Sequence, residues 1–176
     1  MLKQELHNEN DTSWQLRPLV LSLAEFDDTD FEWIEDTWEA LDVRICNLHA
    51  LARRDPQTWR LKLATLIHET AIPRLPATDV LRQIDRATYA NELWFVAVNP
   101  CREYVGMTVL SQHPLVMNGY CARLTGVVPA YRRQGMATVL KVHALRVAKL
   151  AGACSIETYP DNDLLELHLR LGFRPK

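Results

Sequence analysis

The chain has 176 residues, 48% of them apolar and 24% charged, enough for a core in one domain, or in one domain with an N-terminal elaboration. Lys plus Arg number 20 and Asp plus Glu 22, a net charge of −2, so there is no broad basic field and general nucleic-acid binding is disfavoured. The four cysteines are scattered with no C-x-x-C pair, which argues against a cysteine metal site or a disulfide framework and points to a reducing cytoplasm.

Residues 1–13 are polar and are expected to form a flexible N-terminus with no secretory signal. Nowhere does an apolar run approach the roughly 18 residues of a membrane span. Trp14–Leu23 suits a first strand, followed by an acidic turn at Asp27, Asp28 and Asp30. Phe31, Ile34, Trp38 and Leu41 then recur on one helical face. Residues 42–56 are ambiguous. Asp55-Pro56 is a helix start, and Gln57–Thr70 follows as a helix ended by Pro73 and Pro76. Thr78 or Asp79 caps a short helix through Arg86.

From Glu92 the character changes. Leu93–Val98 is a buried strand, Asn99-Pro100 a turn, and Tyr104–Leu110 a second strand, so this pair reads as a hairpin. Tyr120–Val128 is a third strand. Gly135–Leu150 is an amphipathic helix with Met136, Val139, Leu140, Ala144 and Val147 on its apolar side and Gly152 past its end. Ala153–Tyr159 is a fourth strand, and Asp163–Leu171 a short helix stopped by Gly172. The order β-β-β-α-β-α implies an α/β fold of mixed pairing rather than a repeated βαβ array.

The stretch Val127-Val128-Pro129-Ala130-Tyr131-Arg132-Arg133-Gln134-Gly135-Met136-Ala137-Thr138 joins a strand to the N-terminus of that long helix. A helix start leaves several backbone N–H groups without intrahelical partners. Arg132 and Arg133 add positive charge, and the small Gly135 and Ala137 let a phosphate approach the backbone, so the segment suits a pyrophosphate. It is neither a Walker loop nor a dinucleotide fingerprint.

With Val127-x-Pro129-x-Tyr131 leading into Arg132-x-x-Gly135-x-Ala137, and Leu167-His168-Leu169-Arg170-Leu171-Gly172-Phe173 downstream, the chain resembles the GCN5-related N-acetyltransferase (GNAT) family. The resemblance covers about residues 92–173; the N-terminal part matches loosely, as a first strand plus lid helices. It implies a GNAT-like α/β fold with a mixed, mainly antiparallel sheet flanked by helices. Residues 14–176 would then be one domain, in which 14–90 form an N-terminal helical elaboration on the acceptor side and 91–176 the acyl-CoA-binding core.

The resemblance also implies roles. The strand ending at Val127, Val128 and Pro129 would pair with the pantetheine arm. Backbone N–H groups of Arg132, Arg133, Gln134, Gly135, Met136, Ala137 and Thr138 would hold the pyrophosphate, and an N–H near Val127 would polarise the thioester carbonyl. Acetyl-CoA would be the co-substrate, and an amine of a small molecule or peptide would attack directly. No metal, nucleic acid or membrane partner is implied. The oligomeric state is open, a homodimer included.

His168 stands where the family often carries a Tyr that protonates the thiolate; the alternative is a half-buried packing residue. Asn162 or Asp161 would contact the cofactor, or cap the closing helix. No acid lies in Tyr120–Gly126, and Glu103, His113, Tyr120 and Glu157 are the remaining candidates for a general base. The chain ends three residues after Phe173, where family members usually continue with further strands, so a sheet edge or a groove is expected to be left unfilled, through truncation or for a partner's strand. These departures favour the alternative of a non-catalytic acyl-CoA-binding or protein-interaction domain.

Overall fold

The computed structural model describes residues 17–70, 79, 81–82, 84–85, 93–159 and 164–176. The elements in chain order are β1 (Leu19–Ser22), α1 (Trp33–Leu41), β2 (Arg44–Asn47), α2 (Leu48–Arg54), α3 (Trp59–Thr70), β3 (Leu93–Val98), β4 (Tyr104–Gln112), β5 (Gly119–Val127), α4 (Met136–Leu150), β6 (Ser155–Thr158), α5 (Leu165–Arg170) and β7 (Arg174–Pro175). The helix expected from Thr78 or Asp79 to Arg86 is helical at the described residues Asp79, Leu81, Arg82, Ile84 and Asp85. Residues 1–13 lie outside the described part.

One seven-stranded sheet runs β2-β3-β4-β5-β6-β1-β7. Every neighbouring pair is antiparallel except β5 with β6, so the sheet is mixed and mainly antiparallel, as expected. The side chains of β3 and β4 alternate between two buried faces. Trp94, Val96, Met107 and Val109 meet α2 and α3 in one core. Phe95 and Leu110 meet α4 and β1 in another, with Ala97 and Val105 against the first turns of α4.

The long helix α4 is buried on more than one side because α1 covers it as well. Arg146 holds Asp28 at 2.9 Å and Glu35 at 2.6 Å. Lys149 Nζ donates to the Phe26 carbonyl at 2.7 Å, and the ring of His143 lies edge-on to both Trp38 and Phe95.

The expected open edge beyond the fourth predicted strand is not there. β1, from the other end of the sequence, lies between β6 and β7, pairing Val20 with Glu157 on one side and with Arg174 on the other. This closes the backbone hydrogen bonds of β6 on its outer side, which an exposed edge would leave unpaired. Strand β2 also occupies part of the stretch that read as ambiguous.

Candidate functional site

Strand β5 is the hinge of the site. Along β4 it is paired over its whole length, with an irregularity that leaves Arg123 unmatched between Leu124 and Ala122. Along β6 it is paired only from Gly119 to Ala122, the last pair being Ala122 with Thr158. Among the described residues, the β6 side of β5 has no strand partner from Arg123 to Val127. The Val128 N–H donates to Val105 of β4 at 3.0 Å. Because the two ends of one peptide group point in opposite directions, the Val127 carbonyl faces the open side. Arg132 Nε donates to that carbonyl at 2.8 Å. On the α3 face, helix α3 closes over this half: a Cβ built on Gly126 would lie 2.4 Å from Thr70, so only glycine permits the approach.

The turn after β5 supplies the second component. Among the described residues, the backbone N–H groups of Arg133 through Thr138 find no acceptor; the first bond of α4 is Val139 N–H to the Gly135 carbonyl. Arg133 (φ 60°) and Gly135 (φ 85°) take left-handed conformations on either side of Gln134. Alternation of this kind turns successive N–H groups into one concavity, a nest for an anion. Arg132, Arg133 and Gln134 are exposed there, and neither arginine meets a carboxylate among the described residues. The positive end of the fifteen-residue α4 dipole adds to the field.

Two contacts hold the turn in shape. Gln134 Nε2 donates to the Ala130 carbonyl at 2.8 Å. Asn99 Nδ2, in the β3–β4 turn, reaches the Tyr131 hydroxyl at 3.3 Å and Glu103 Oε2 at 2.8 Å. Tyr131 was part of the sequence pattern but had no assigned role; here it ties the turn to the neighbouring hairpin. Gly135 also differs from expectation. A Cβ there would lie 2.9 Å from Thr37 Cγ2 of α1, so its φ and the packing of α1 require glycine before any ligand is considered.

A family model described as "Acetyltransferase (GNAT) family" matches residues 55–173. The chain belongs to the GNAT acetyltransferase family. Solved GNAT structures share its fold. A GCN5-related N-acetyltransferase from Sphaerobacter thermophilus is 17% identical with a TM-score of 0.69, over 91% of this chain and 48% of that one. A GNAT-family acetyltransferase from Staphylococcus aureus is 14% identical with a TM-score of 0.60, over 75% and 84% of the two chains. An aminoglycoside antibiotic 6'-N-acetyltransferase from Acinetobacter haemolyticus is 19% identical with a TM-score of 0.59, over 76% and 92%. No curated protein sequence matches the chain. Among the described residues, no helix is long and apolar enough to cross a membrane.

Within this GNAT domain the expected site residues part company. Val127, Val128, Pro129, Arg132, Arg133, Gln134, Gly135, Met136, Ala137 and Thr138 lie together, on the open end of β5 and the adjoining turn and helix start. Asn162 lies outside the described residues, as does Asp161. His168 does not fit a proton donor. It is 2% exposed, its ring lies edge-on to Phe173 at 5.1 Å, and both ring nitrogens lack hydrogen-bond partners among the described residues. Burial, helped by the nearby Lys141 ammonium, pushes its pKa down to about 3, so the imidazole is neutral near pH 7 and has no readily released proton. These surroundings favour the packing alternative.

The four base candidates are also accounted for. Glu103 is tied into the β3–β4 turn by Asn99. His113 Nδ1 accepts the N–H groups of Leu115 and Val116, both at 3.0 Å, which leaves Nε2 to carry the proton, 3.5 Å from Glu157. Lys176 holds Glu157 at 2.8 Å, and that hydrogen bond keeps the carboxylate below its usual pKa. Tyr120 packs against the core under α4. A separate cleft of about 710 Å³, lined by Arg44, Arg54, Asp55, Lys62 and Tyr104 among others, has no β5 residue in its wall and is not part of this site.

Proposed function

We propose that this GNAT domain binds acetyl-CoA along the open half of β5 and passes the acetyl group to a primary amine of a small molecule or peptide by direct attack. The observation that carries the reading is the run of six amides, Arg133 to Thr138, that is unpartnered among the described residues, one turn beyond a strand edge that lacks a partner among them. A diphosphate satisfies the amides, and the amide groups of a pantetheine arm satisfy the edge. Arg132 would then leave the Val127 carbonyl to the arm and turn its guanidinium to phosphate. Residues 14–176 act as one domain in this reading, with 14–90 on the acceptor side. An amine acceptor is in keeping with the name of the Acinetobacter structural neighbour, an aminoglycoside antibiotic 6'-N-acetyltransferase. The absence of a broad basic field still disfavours nucleic acid as acceptor, and the scattered cysteines suit a cytoplasmic setting.

Length refines one role. A pantetheine arm is on the order of 15 Å from phosphate to sulfur, about the span of five strand residues at 3.3 Å each. With the diphosphate in the nest, the arm runs from Val127 to Arg123. The thioester then lies where β5 and β6 join, at Ala122 and Thr158. Val127 faces the phosphate end, and a β5 amide nearer Arg123 polarises the carbonyl.

The non-catalytic alternative is favoured by one observation: each expected acid or base is buried, tied up or distant. An amine that arrives neutral needs no base on the chain, so the two readings separate by experiment. Thiol release from acetyl-CoA over a panel of amines tests transfer. Release above the hydrolysis background supports it; CoA binding with no release for any amine selects the non-catalytic reading.

A further inference from the structure

Lys141 lies in the second turn of α4 and is 6% exposed. Its side chain lines a cavity of about 10 Å³, shared with Thr108 of β4, Ala122 of β5, Ile156 of β6, and Leu171 and Phe173. That is about the room one water takes. Ala122 belongs to the last β5–β6 pair and Ile156 lies two residues before Thr158, so the cavity sits on the α4 side of the point where the two strands part. No hydrogen bond or ion pair joins Lys141 to any described residue. The Lys141 ammonium is close enough to His168 of α5 to help lower that imidazole's pKa. Glu157, next along β6 from Ile156, points to the opposite face and is held by Lys176 and His113.

An uncompensated buried ammonium is costly, and removing it for an apolar residue of similar size would relieve that cost. Its position is therefore informative. In the coenzyme reading above, acetyl transfer forms a negative charge at the strand junction, where Lys141 shares a cavity wall with Ala122 and Ile156.

We propose that Lys141 stabilises and protonates the coenzyme A thiolate as it leaves. This rests on the coenzyme reading above. A neutral amine adds to the thioester carbonyl, forming the N–C bond and an oxyanion. The oxyanion collapses, the C–S bond breaks, and its electron pair goes to sulfur. Lys141 gives the thiolate a proton and becomes a neutral amine. The proton lost from the acceptor nitrogen passes to solvent, and Lys141 takes one back from solvent before the next turnover. The sum is amine plus acetyl thioester giving amide plus thiol. Desolvation brings the Lys141 pKa down to about 8, within reach of a proton transfer at neutral pH, whereas His168 at about 3 holds no proton to give. Among the described residues facing Lys141 from β4, β5, β6 and α5, none carries a carboxylate.

Lys141→Met keeps the side-chain length and removes the charge. Ultraviolet absorbance of the thiolate gives the thiol pKa of bound CoA. For the parent chain we expect it to fall by about one unit or more relative to free CoA, and for Lys141→Met to return to the free value with CoA affinity retained. In parallel, kcat with the best amine should drop on the order of a hundredfold in the variant, with the KM for acetyl-CoA little changed. Equal bound-thiol pKa values in the two chains, with equal kcat, would overturn the role of Lys141 and leave the coenzyme reading intact. Failure of the parent chain to bind CoA would overturn both. Should Lys141→Met lose its fold, Lys141→Gln provides the same readouts.

Discussion

The two halves of β5 differ in how their polar groups are satisfied. From Gly119 to Ala122 the strand is paired on both sides. The polar side chains beside it close among themselves: His113 accepts two loop amides and faces Glu157, and Glu157 holds Lys176. Among the described residues, the Arg123–Val127 stretch has no strand on one edge and the amides of Arg133 through Thr138 have no acceptor, while beside Ala122, where the two halves meet, the Lys141 side chain lies buried without a hydrogen bond. Buried polar groups in folded proteins are nearly always partnered. The first half is satisfied within the fold, and under the proposed function a coenzyme would satisfy the second.

Breaking the closed half should cost stability and leave binding alone. Glu157→Ala removes the acceptor of both His113 and Lys176. It should destabilise the fold by about 2–3 kcal/mol in denaturant titrations, with CoA affinity unchanged by calorimetry. The parent should show the same contribution through pH. Glu157 has a folded pKa below its ordinary 4.5, so its stabilisation is present above pH 4.5 and is lost as the pH falls through the lowered value.

Breaking the open half should do the reverse. Arg132→Ala with Arg133→Ala should weaken CoA by on the order of tenfold or more, about 1.4 kcal/mol. It should weaken a pantetheine fragment without phosphates much less, and change stability by no more than about 0.5 kcal/mol. Equal losses for the two ligands would count against phosphate contact.

A smaller effect sharpens the contrast between the two histidines. His168→Phe replaces a ring with two orphaned nitrogens, and should raise stability by about 1 kcal/mol while turnover at neutral pH stays near the parent's. In the parent the unfolded chain takes up a proton near pH 6.5 and the folded chain only near 3. Stability therefore falls as the pH drops from 6.5 toward 3, by at most about 1.4 kcal/mol per pH unit. Thermal melts across that window should show the slope in the parent and its loss in the variant. A rate that falls without any gain in stability would restore His168 to the chemistry.

The smallest effect is expected at the tie between turn and hairpin. Tyr131→Phe removes a long hydrogen bond to Asn99 and should cost about 0.5 kcal/mol, read as a slight loss of CoA affinity.

What could be read in advance follows from how local the causes are. Leu93–Val98 announces itself as six consecutive apolar residues, and α4 by its periodicity and the glycines at either end. The turn at Arg132–Gly135 was legible because small residues and adjacent arginines at a helix start have few other uses. Strand β2 was not: four residues, Arg44-Ile45-Cys46-Asn47, are too few to show alternation, and β3 decides their state. The pairing of β1 with β6 joins residues more than 130 positions apart and leaves no local trace. Leu164, Leu167 and Leu171 reveal a helical face, but the burial of His168 depends on Phe173 and Lys141 meeting it from other elements. Likewise the need for glycine at 135 was legible, whereas its cause, Thr37 of α1, was not.

The direct test is to titrate CoA into the isotope-labelled chain and follow backbone amide shifts by NMR. The account predicts the largest changes at Arg133 through Thr138, next along Ala122 to Val127, with Gly119 to Cys121 nearly still. Binding that moves amides elsewhere and leaves Arg133 through Thr138 unperturbed would contradict it.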